Sequence, residues 1–382
     1  MSQVQNKISP YLSITQDVIG KDIDLKKIEY VQKTISEKIQ NKKLENFEKD
    51  FKEIIINREK FFKFFNYIEM YKVSRMNEFD KIINYLHFRF KFSQASNKKK
   101  EFDFPPYILI EAVSACNLKC PMCFQIDKTF TRKPFMGLMK WDLFTKVVDE
   151  ANQLGAGAIT FGSRGEPLMH PKIGEMLKYV SEKENIFELK LNSNASFLTE
   201  KLCHEIFKHK VDTLVISADH YEKKTFEELR KGANFEKIVS NVKMLFNIRK
   251  NYYKDSGTEI RVSGVDYYKN LNRKKFQEFW SSMSDNVSAT YAVERWDTYN
   301  NEKDERTLNP CSYLWDRMYI WFDGKCNPCD ADYKSYLSYG DVKNNTIKDV
   351  WNGEKLKNHR SIHMAKKRSE LIPCDRCGID FN

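Results

Sequence analysis

One predicted strand that ends in three closely spaced cysteines constrains this chain more than any other feature. Tyr107-Ile-Leu-Ile-Glu-Ala-Val113 reads as a buried strand, and Pro105-Pro106 stops any helix before it. Soon after it comes Cys116-Asn-Leu-Lys-Cys120-Pro-Met-Cys123, a CxxxCxxC. Three thiolates packed this tightly can hold three irons of a cubane 4Fe–4S cluster and leave the fourth iron without a protein ligand. An iron left open can bind and activate a small molecule. The competing reading is structural zinc. Zinc prefers four ligands, usually from paired CxxC units, and this trio has no fourth Cys or His close by.

The chain has 382 residues, enough for an α/β barrel plus an appendage. Its hydrophobic content is 41%, and no apolar run approaches the roughly 20 residues that cross a bilayer. The start, Met1-Ser-Gln-Val-Gln-Asn-Lys7, lacks the apolar core of a signal peptide. The expectation is a soluble, cytoplasmic protein without a membrane span. The chain has nine cysteines, and in a reducing compartment those clustered at metal spacings read as ligands rather than disulfides. The net charge is +11, and residues 1–100 hold 21 Lys and Arg against 13 Asp and Glu. Such an extension could attract an acidic partner, but its bases are interleaved with acids. Solvated faces of Lys-rich helices are therefore expected rather than a nucleic-acid surface.

Residues 1–104 form a helical extension by pattern. Helices are predicted over 25–40, 44–57, 60–71 and 77–92, with 93–100 as a linker. Phe61, Phe62, Phe64, Phe65 and Tyr67 are expected to pack against the next domain. From 105 to 300 strand and helix alternate. Strands are predicted at 107–113, 157–161, 187–192, 212–217, 258–264 and 287–293, and helices at 140–154, 171–184, 198–209, 222–249 and 271–283. The fold class is α/β: a partial (β/α)6 TIM-like barrel with a helical N-terminal extension and a small C-terminal domain over 301–382. Barrel chemistry sits at the C-terminal ends of the strands, where the loops converge.

The CxxxCxxC resembles the signature of the radical S-adenosylmethionine (radical SAM) superfamily. The resemblance implies that Cys116, Cys120 and Cys123 hold a 4Fe–4S cluster whose open iron chelates S-adenosylmethionine. One electron then yields a 5′-deoxyadenosyl radical that abstracts hydrogen from substrate. Further along, Phe161-Gly-Ser-Arg-Gly-Glu-Pro-Leu168 is similar to the family's GGEP motif. It assigns Gly165, Glu166 and Pro167 to the methionine ammonium, with Arg164 where the first glycine usually stands. Asn194, in Asn192-Ser-Asn-Ala195, and Ser217, at the fourth strand's end, align with ribose contacts, with Ala195 replacing a glycine. Met122 takes the position that packs against adenine.

A second cysteine set is Cys311…Gly324-Lys-Cys326-Asn-Pro-Cys329…Cys374-Asp-Arg-Cys377. Cys311, Gly324 and Cys329 resemble the opening of a SPASM domain, and the chain's end five residues after Cys377 resembles the shorter "twitch" form. The resemblance implies that Cys311, Cys329, Cys374 and Cys377 close one auxiliary 4Fe–4S cluster suited to electron transfer. A four-thiolate zinc knuckle is the chemical alternative. Cys326 and Cys203 are expected to pack as small hydrophobes.

An auxiliary cluster implies net oxidation of the substrate. Asp332 is the first candidate for the proton acceptor, with Asp330 and Glu294 beside it. Arg295 is a candidate for holding a substrate oxygen, and His220 for a bystander at the mouth. The reading is an oxidoreductase that dehydrogenates a small polar alcohol or amine, reduced by a flavodoxin- or ferredoxin-type partner. The alternatives are a radical SAM maturase with a peptide channel roofed by residues 1–100, and a zinc-stabilised RNA-binding protein without redox chemistry.

Overall fold

The computed structural model describes residues 23–377 apart from 42, 45, 293–295 and 304–308. Ahead of the sheet lie α1 (Leu25–Gln40), α2 (Lys49–Ile56), α3 (Arg58–Phe64), α4 (Tyr67–Arg75) and α5 (Phe79–Lys98). In α1, Ile28, Val31, Ile35 and Ile39 repeat every three or four residues and all are buried. The helix expected at 60–71 is instead two. Asn66 caps α4 in a reciprocal capping box with Glu69, which restarts the chain there. The linker expected at 93–100 is also corrected. Buried Gln94 and Ala95 carry α5 on to Lys98, and Lys99 ends it in the left-handed conformation. Phe61 and Phe65 are buried in the core these helices share, whereas Tyr67 is exposed.

The barrel follows the predicted alternation. Its strands are β1 (Tyr107–Ile110), β2 (Ala158–Phe161), β3 (Glu188–Ser193), β4 (Thr213–Ser217), β5 (Glu259–Asp266) and β6 (Asn286–Tyr291). Between them run α6 (Trp141–Leu154), α7 (Ile173–Ser181), α8 (Glu200–Lys208), α9 (Lys223–Leu229), α10 (Phe235–Tyr252) and α11 (Arg273–Ser281). Neighbouring strands are parallel throughout. One set of alternating residues, such as Ile159, Leu189, Leu191, Leu214 and Ile260, joins the core shared with the outer helices. The opposite set, including Thr160, Lys190, Asn192, Ser217, Arg261 and Ser263, faces the barrel interior. The single helix expected over 222–249 is broken into α9 and α10. Gly232 takes a φ of +96°, and Asn234 caps α10 by accepting from the Lys237 amide.

The C-terminal region adds α12 (Tyr313–Asp316), β7 (Met318–Ile320), β8 (Lys325–Asn327), β9 (Gly340–Asp341), α13 (Ile347–Trp351) and α14 (Glu354–Met364). It is joined to the barrel through the sheet itself. β7 pairs parallel with β1, Ile108 opposite Met318, and β8 and β9 continue antiparallel. The nine-stranded order β6-β5-β4-β3-β2-β1-β7-β8-β9 leaves the barrel open, with β6 and β9 as edges.

The N-terminal helices close the lower end of this barrel. Tyr107, Ala158 and Phe187, at or next to the starts of β1, β2 and β3, join their core. Lys72 donates to the Phe187 carbonyl and pairs with Asp212, and Arg75 donates to the Asp255 carbonyl at 3.1 Å. These partners all precede β3, β4 or β5. Because the strands are parallel, the cysteine loop that follows β1 lies at the other end. The described part of the extension is therefore a floor and not the roof considered above. No helix among the described residues is long and apolar enough to cross a membrane.

Candidate active site

The loop after β1 is pinched at its neck. Val113 bridges Leu138, Gly137 donates to Ser114 Oγ at 2.7 Å, and Met139 donates to the Ala112 carbonyl at 2.9 Å. Within it, Cys120 and Cys123 stand on one turn, closed by a 3.0 Å bond from the Cys123 amide to the Cys120 carbonyl. Burial pushes the Cys116 thiol up to about 11 and the Cys123 thiol up to about 12. Arg230 opposes that shift at all three cysteines. It is anchored by Asp219, Nε 2.6 Å from the carboxylate. The break between α9 and α10 brings Arg230 there, since the Lys231 carbonyl accepts from the Lys119 amide at 2.8 Å. Three shielded thiols facing a partly buried guanidinium fit an anionic, metal-bound thiolate set. Arg230 was missed from sequence; the turn signal Gly232-Ala-Asn234 was its only trace.

The loop after β2 packs directly beneath. A β-carbon on Gly165 would stand 2.2 Å from the Val113 carbonyl and 2.5 Å from that of Ala115, so only glycine lets the two loops touch. Next to it, the Glu166 carboxylate accepts from Ser193 Oγ at 2.7 Å, the Asn194 amide at 2.8 Å and the Leu168 amide at 3.1 Å. Burial raises its pKa to about 6. Pro167 opens the short turn that follows. Asn194 donates to Asn117 at 2.9 Å, and its amide nitrogen lies 3.8 Å from Cys116 Sγ. Gly165, Glu166, Pro167 and Asn194 are thus gathered beside the first cysteine. Ala195 holds a φ of +62° where the family has glycine. Met122 is half-buried between two cysteines, and Ser217 ends β4 opposite Ser263. Ser193 was not singled out from sequence.

The second cysteine set lines a small cavity, together with Leu337, His363 and Arg368. Burial pushes the Cys311 thiol up to about 12 and raises Cys329 and Cys374 further. Arg368 is almost wholly enclosed, and its charge acts on all four thiols. An enclosed cation among four cysteines fits an anionic iron–sulfur cluster. Cys326 and Cys203 both lie in the barrel core, away from this cavity.

Of the candidate acid–base residues, Glu294 and Arg295 lie outside the described residues. Asp332 is fully enclosed. It accepts from Tyr299 Oη at 2.8 Å, the Tyr336 amide at 2.9 Å and the Leu337 amide at 2.7 Å, and burial raises its pKa to about 6. Asp330 is buried next to Cys329 in sequence, and its charge acts on that thiol. His220 is packed, stacked on Tyr221 and accepting from the Glu222 amide. Lower in the barrel, Lys190 lines a cavity with Tyr107, Thr160 and Glu188. Burial, and then Arg261, lowers its pKa to about 8.

Residues 110–261 match the Radical SAM superfamily, and residues 311–378 match SPASM, an iron–sulfur cluster-binding domain. The chain is a radical SAM protein that carries a SPASM domain. Its cofactors are accordingly a 4Fe–4S cluster, S-adenosylmethionine and auxiliary iron–sulfur, which displaces the zinc-based RNA-binding alternative. The "tungsten-containing aldehyde ferredoxin oxidoreductase cofactor-modifying protein" of Pyrococcus furiosus is 31% identical over 165 residues, 42% of each chain. The chain spans less than half the length of that relative. Among solved structures, BtrN in complex with AdoMet and 2-DOIA superposes at a TM-score of 0.50 and 16% identity, covering 73% of this chain and 95% of that one. SuiB of Streptococcus suis, bound to S-adenosylmethionine, gives 0.52 and 17%, covering 86% and 83%. At these identities the likeness is one of fold.

Proposed function

We propose that this radical SAM enzyme dehydrogenates an alcohol or amine carbon of a small polar molecule. When bound, the two clusters and S-adenosylmethionine would supply a hydrogen-abstracting 5′-deoxyadenosyl radical and an acceptor for the second electron. Cys116, Cys120 and Cys123 would hold the first cluster, and Cys311, Cys329, Cys374 and Cys377 the auxiliary one. Glu166, fixed by three donors, would take the methionine ammonium. Gly165, Pro167 and Asn194 would shape that pocket, Met122 would pack on adenine and Ser217 would meet the ribose. Arg230 would balance the thiolate charge. Removing a hydrogen atom, a proton and an electron from a CH–OH or CH–NH carbon gives a carbonyl or imine. The proton needs a base. Among the described candidates Asp332, whose pKa burial raises to about 6, comes first, with Asp330 beside Cys329 as the second. Glu294 and Arg295 keep their sequence-based roles as candidates.

The observation that carries the choice of substrate is the barrel interior. Below the S-adenosylmethionine residues it holds Thr160, Glu188 and the cations Lys190 and Arg261, and the N-terminal helices close its lower end with Phe88 and Phe92. Such a blind, polar lumen suits a compact polar substrate better than a threaded chain. The test is 5′-deoxyadenosine release by reconstituted protein under strict anaerobiosis, with host extract split by ultrafiltration. Stimulation by the small-molecule fraction supports the proposal. Stimulation only by the retained fraction would replace it with peptide or protein modification.

A further inference from the structure

The auxiliary cavity contains a group that the electron-transfer reading leaves unused. α14 presents His359 and His363, one turn apart, to the cavity that holds Cys311, Cys329, Cys374 and Cys377. His363 is 1% exposed. The Cys311 backbone N–H donates to His363 Nδ1 at 3.2 Å. That bond requires Nδ1 to be the unprotonated nitrogen, so the ring's proton sits on Nε2. Nε2 is enclosed and has no hydrogen-bond partner among the described residues. A buried N–H without an acceptor is costly, and folded proteins rarely leave one so. The ring stands in the cavity wall, where sulfur is the acceptor that the four cysteines bring together.

We propose that His363 Nε2–H donates a hydrogen bond to a sulfur of the auxiliary cluster and makes that cluster easier to reduce. The inference rests on the assignment of Cys311, Cys329, Cys374 and Cys377 as its ligands. Hydrogen bonds to cluster sulfurs draw electron density from them and stabilise the added electron, one of the factors that set the potential. The same contact ties the cluster to the backbone of one of its own ligands, because His363 is held by the Cys311 amide. His363 is in this sense a positioning and tuning residue, not a catalytic one.

The experiment uses the full chain with Cys116, Cys120 and Cys123 changed to Ala, so that only auxiliary iron remains. After anaerobic reconstitution, iron content and an EPR-monitored redox titration are compared among His363, His363→Leu and His363→Gln. With full iron, His363→Leu is expected to reduce the cluster's reduction equilibrium about tenfold, ~59 mV for one electron. His363→Gln keeps an N–H donor and should recover most of that loss. An unchanged midpoint in His363→Leu would overturn the proposal and leave the ligand assignment standing. If both variants lose the cluster, the unsubstituted His363 protein reconstituted in D2O decides. An exchangeable proton coupled to the reduced cluster supports the bond, and its absence rejects it. No iron in the parent protein would remove the ligand assignment, and this proposal with it.

Discussion

Arg164 and Glu111 form a two-toothed ion pair across the base of the active site, both less than 4% exposed. Arg164 Nη2 reaches one Glu111 oxygen at 2.6 Å, and Nε reaches the other. The third nitrogen, Nη1, donates to the Tyr333 carbonyl at 2.7 Å, and the guanidinium lies 4.1 Å from the Trp321 ring centre. Gln125 in the cysteine loop donates to the Arg164 carbonyl at 2.6 Å. A residue that departs from the family's glycine thus binds the first strand, the cysteine loop and the SPASM domain together. Its side chain is taken up by this contact, and Gly165 alone makes the close backbone approach.

Arg164→Met should therefore destabilise the protein by about 3–5 kcal/mol, because it strands a buried carboxylate. The double change Arg164→Met with Glu111→Leu should recover most of that loss. Urea denaturation of the three proteins measures both. A single variant as stable as the parent would show that the pair does not tie the domains.

Gly165→Ala should weaken S-adenosylmethionine binding about tenfold, ~1.4 kcal/mol. Its β-carbon meets fixed backbone, so the two loops must part. Gly174→Ala is the control. There the new carbon meets only the end of the Glu205 side chain, which can swing away. Equilibrium dialysis that finds the two variants alike would refute the close-approach argument.

Glu166 carries a pKa raised to about 6 by burial. A raised carboxylate is charged in the unfolded chain first, so stability of the ligand-free protein should fall as pH climbs from 4.5 to 6 and then level. Glu166→Gln should abolish that fall and gain at most about 2 kcal/mol at pH 7. Affinity for S-adenosylmethionine should do the reverse, weakening as pH drops through 6 in the parent and staying low and flat in the variant. Parallel pH profiles for parent and variant would remove Glu166 from the ammonium site.

Lys190, lowered to about 8, loses its proton first in the folded state. Below pH 8 the buried ammonium opposes folding in full. Between 8 and 10.5 that cost fades, so stability contributed by this group rises with pH. Lys190→Met should melt higher than the parent at pH 7, with the gap narrowing by pH 9.5, while turnover of a polar substrate falls. Thermal melts at the two pH values decide it. A gap that stays constant would mean that packing, not charge, sets the difference.

Much of this was legible because it is local. The alternation of strands and helices follows from hydrophobic period. The CxxxCxxC and the terminal CxxC need only a turn to bring their thiols together, and Cys120 and Cys123 stand on one. Expectations failed where a local signal was weaker than its surroundings. Asn66 and Gly232 broke helices that apolar spacing ran through, and Gln94 and Ala95 extended one where polar composition read as linker.

The sequence by itself determined the six strand–helix units, the two cysteine sets and their place at strand ends, since neighbours in the chain decide each of these. Tertiary structure decided the rest. Arg164 finds Glu111 and Tyr333, 53 and 169 residues away, only because β7 joins the sheet beside β1. Arg230 comes beside the first cysteines, and the described part of the extension becomes a floor rather than a roof, through contacts that no periodicity encodes. Burial then changed ordinary side chains: it raised Glu166, lowered Lys190 and left the His363 Nε2–H without an acceptor among the described residues. Solvent exclusion of that kind belongs to the closed fold and not to any segment of it.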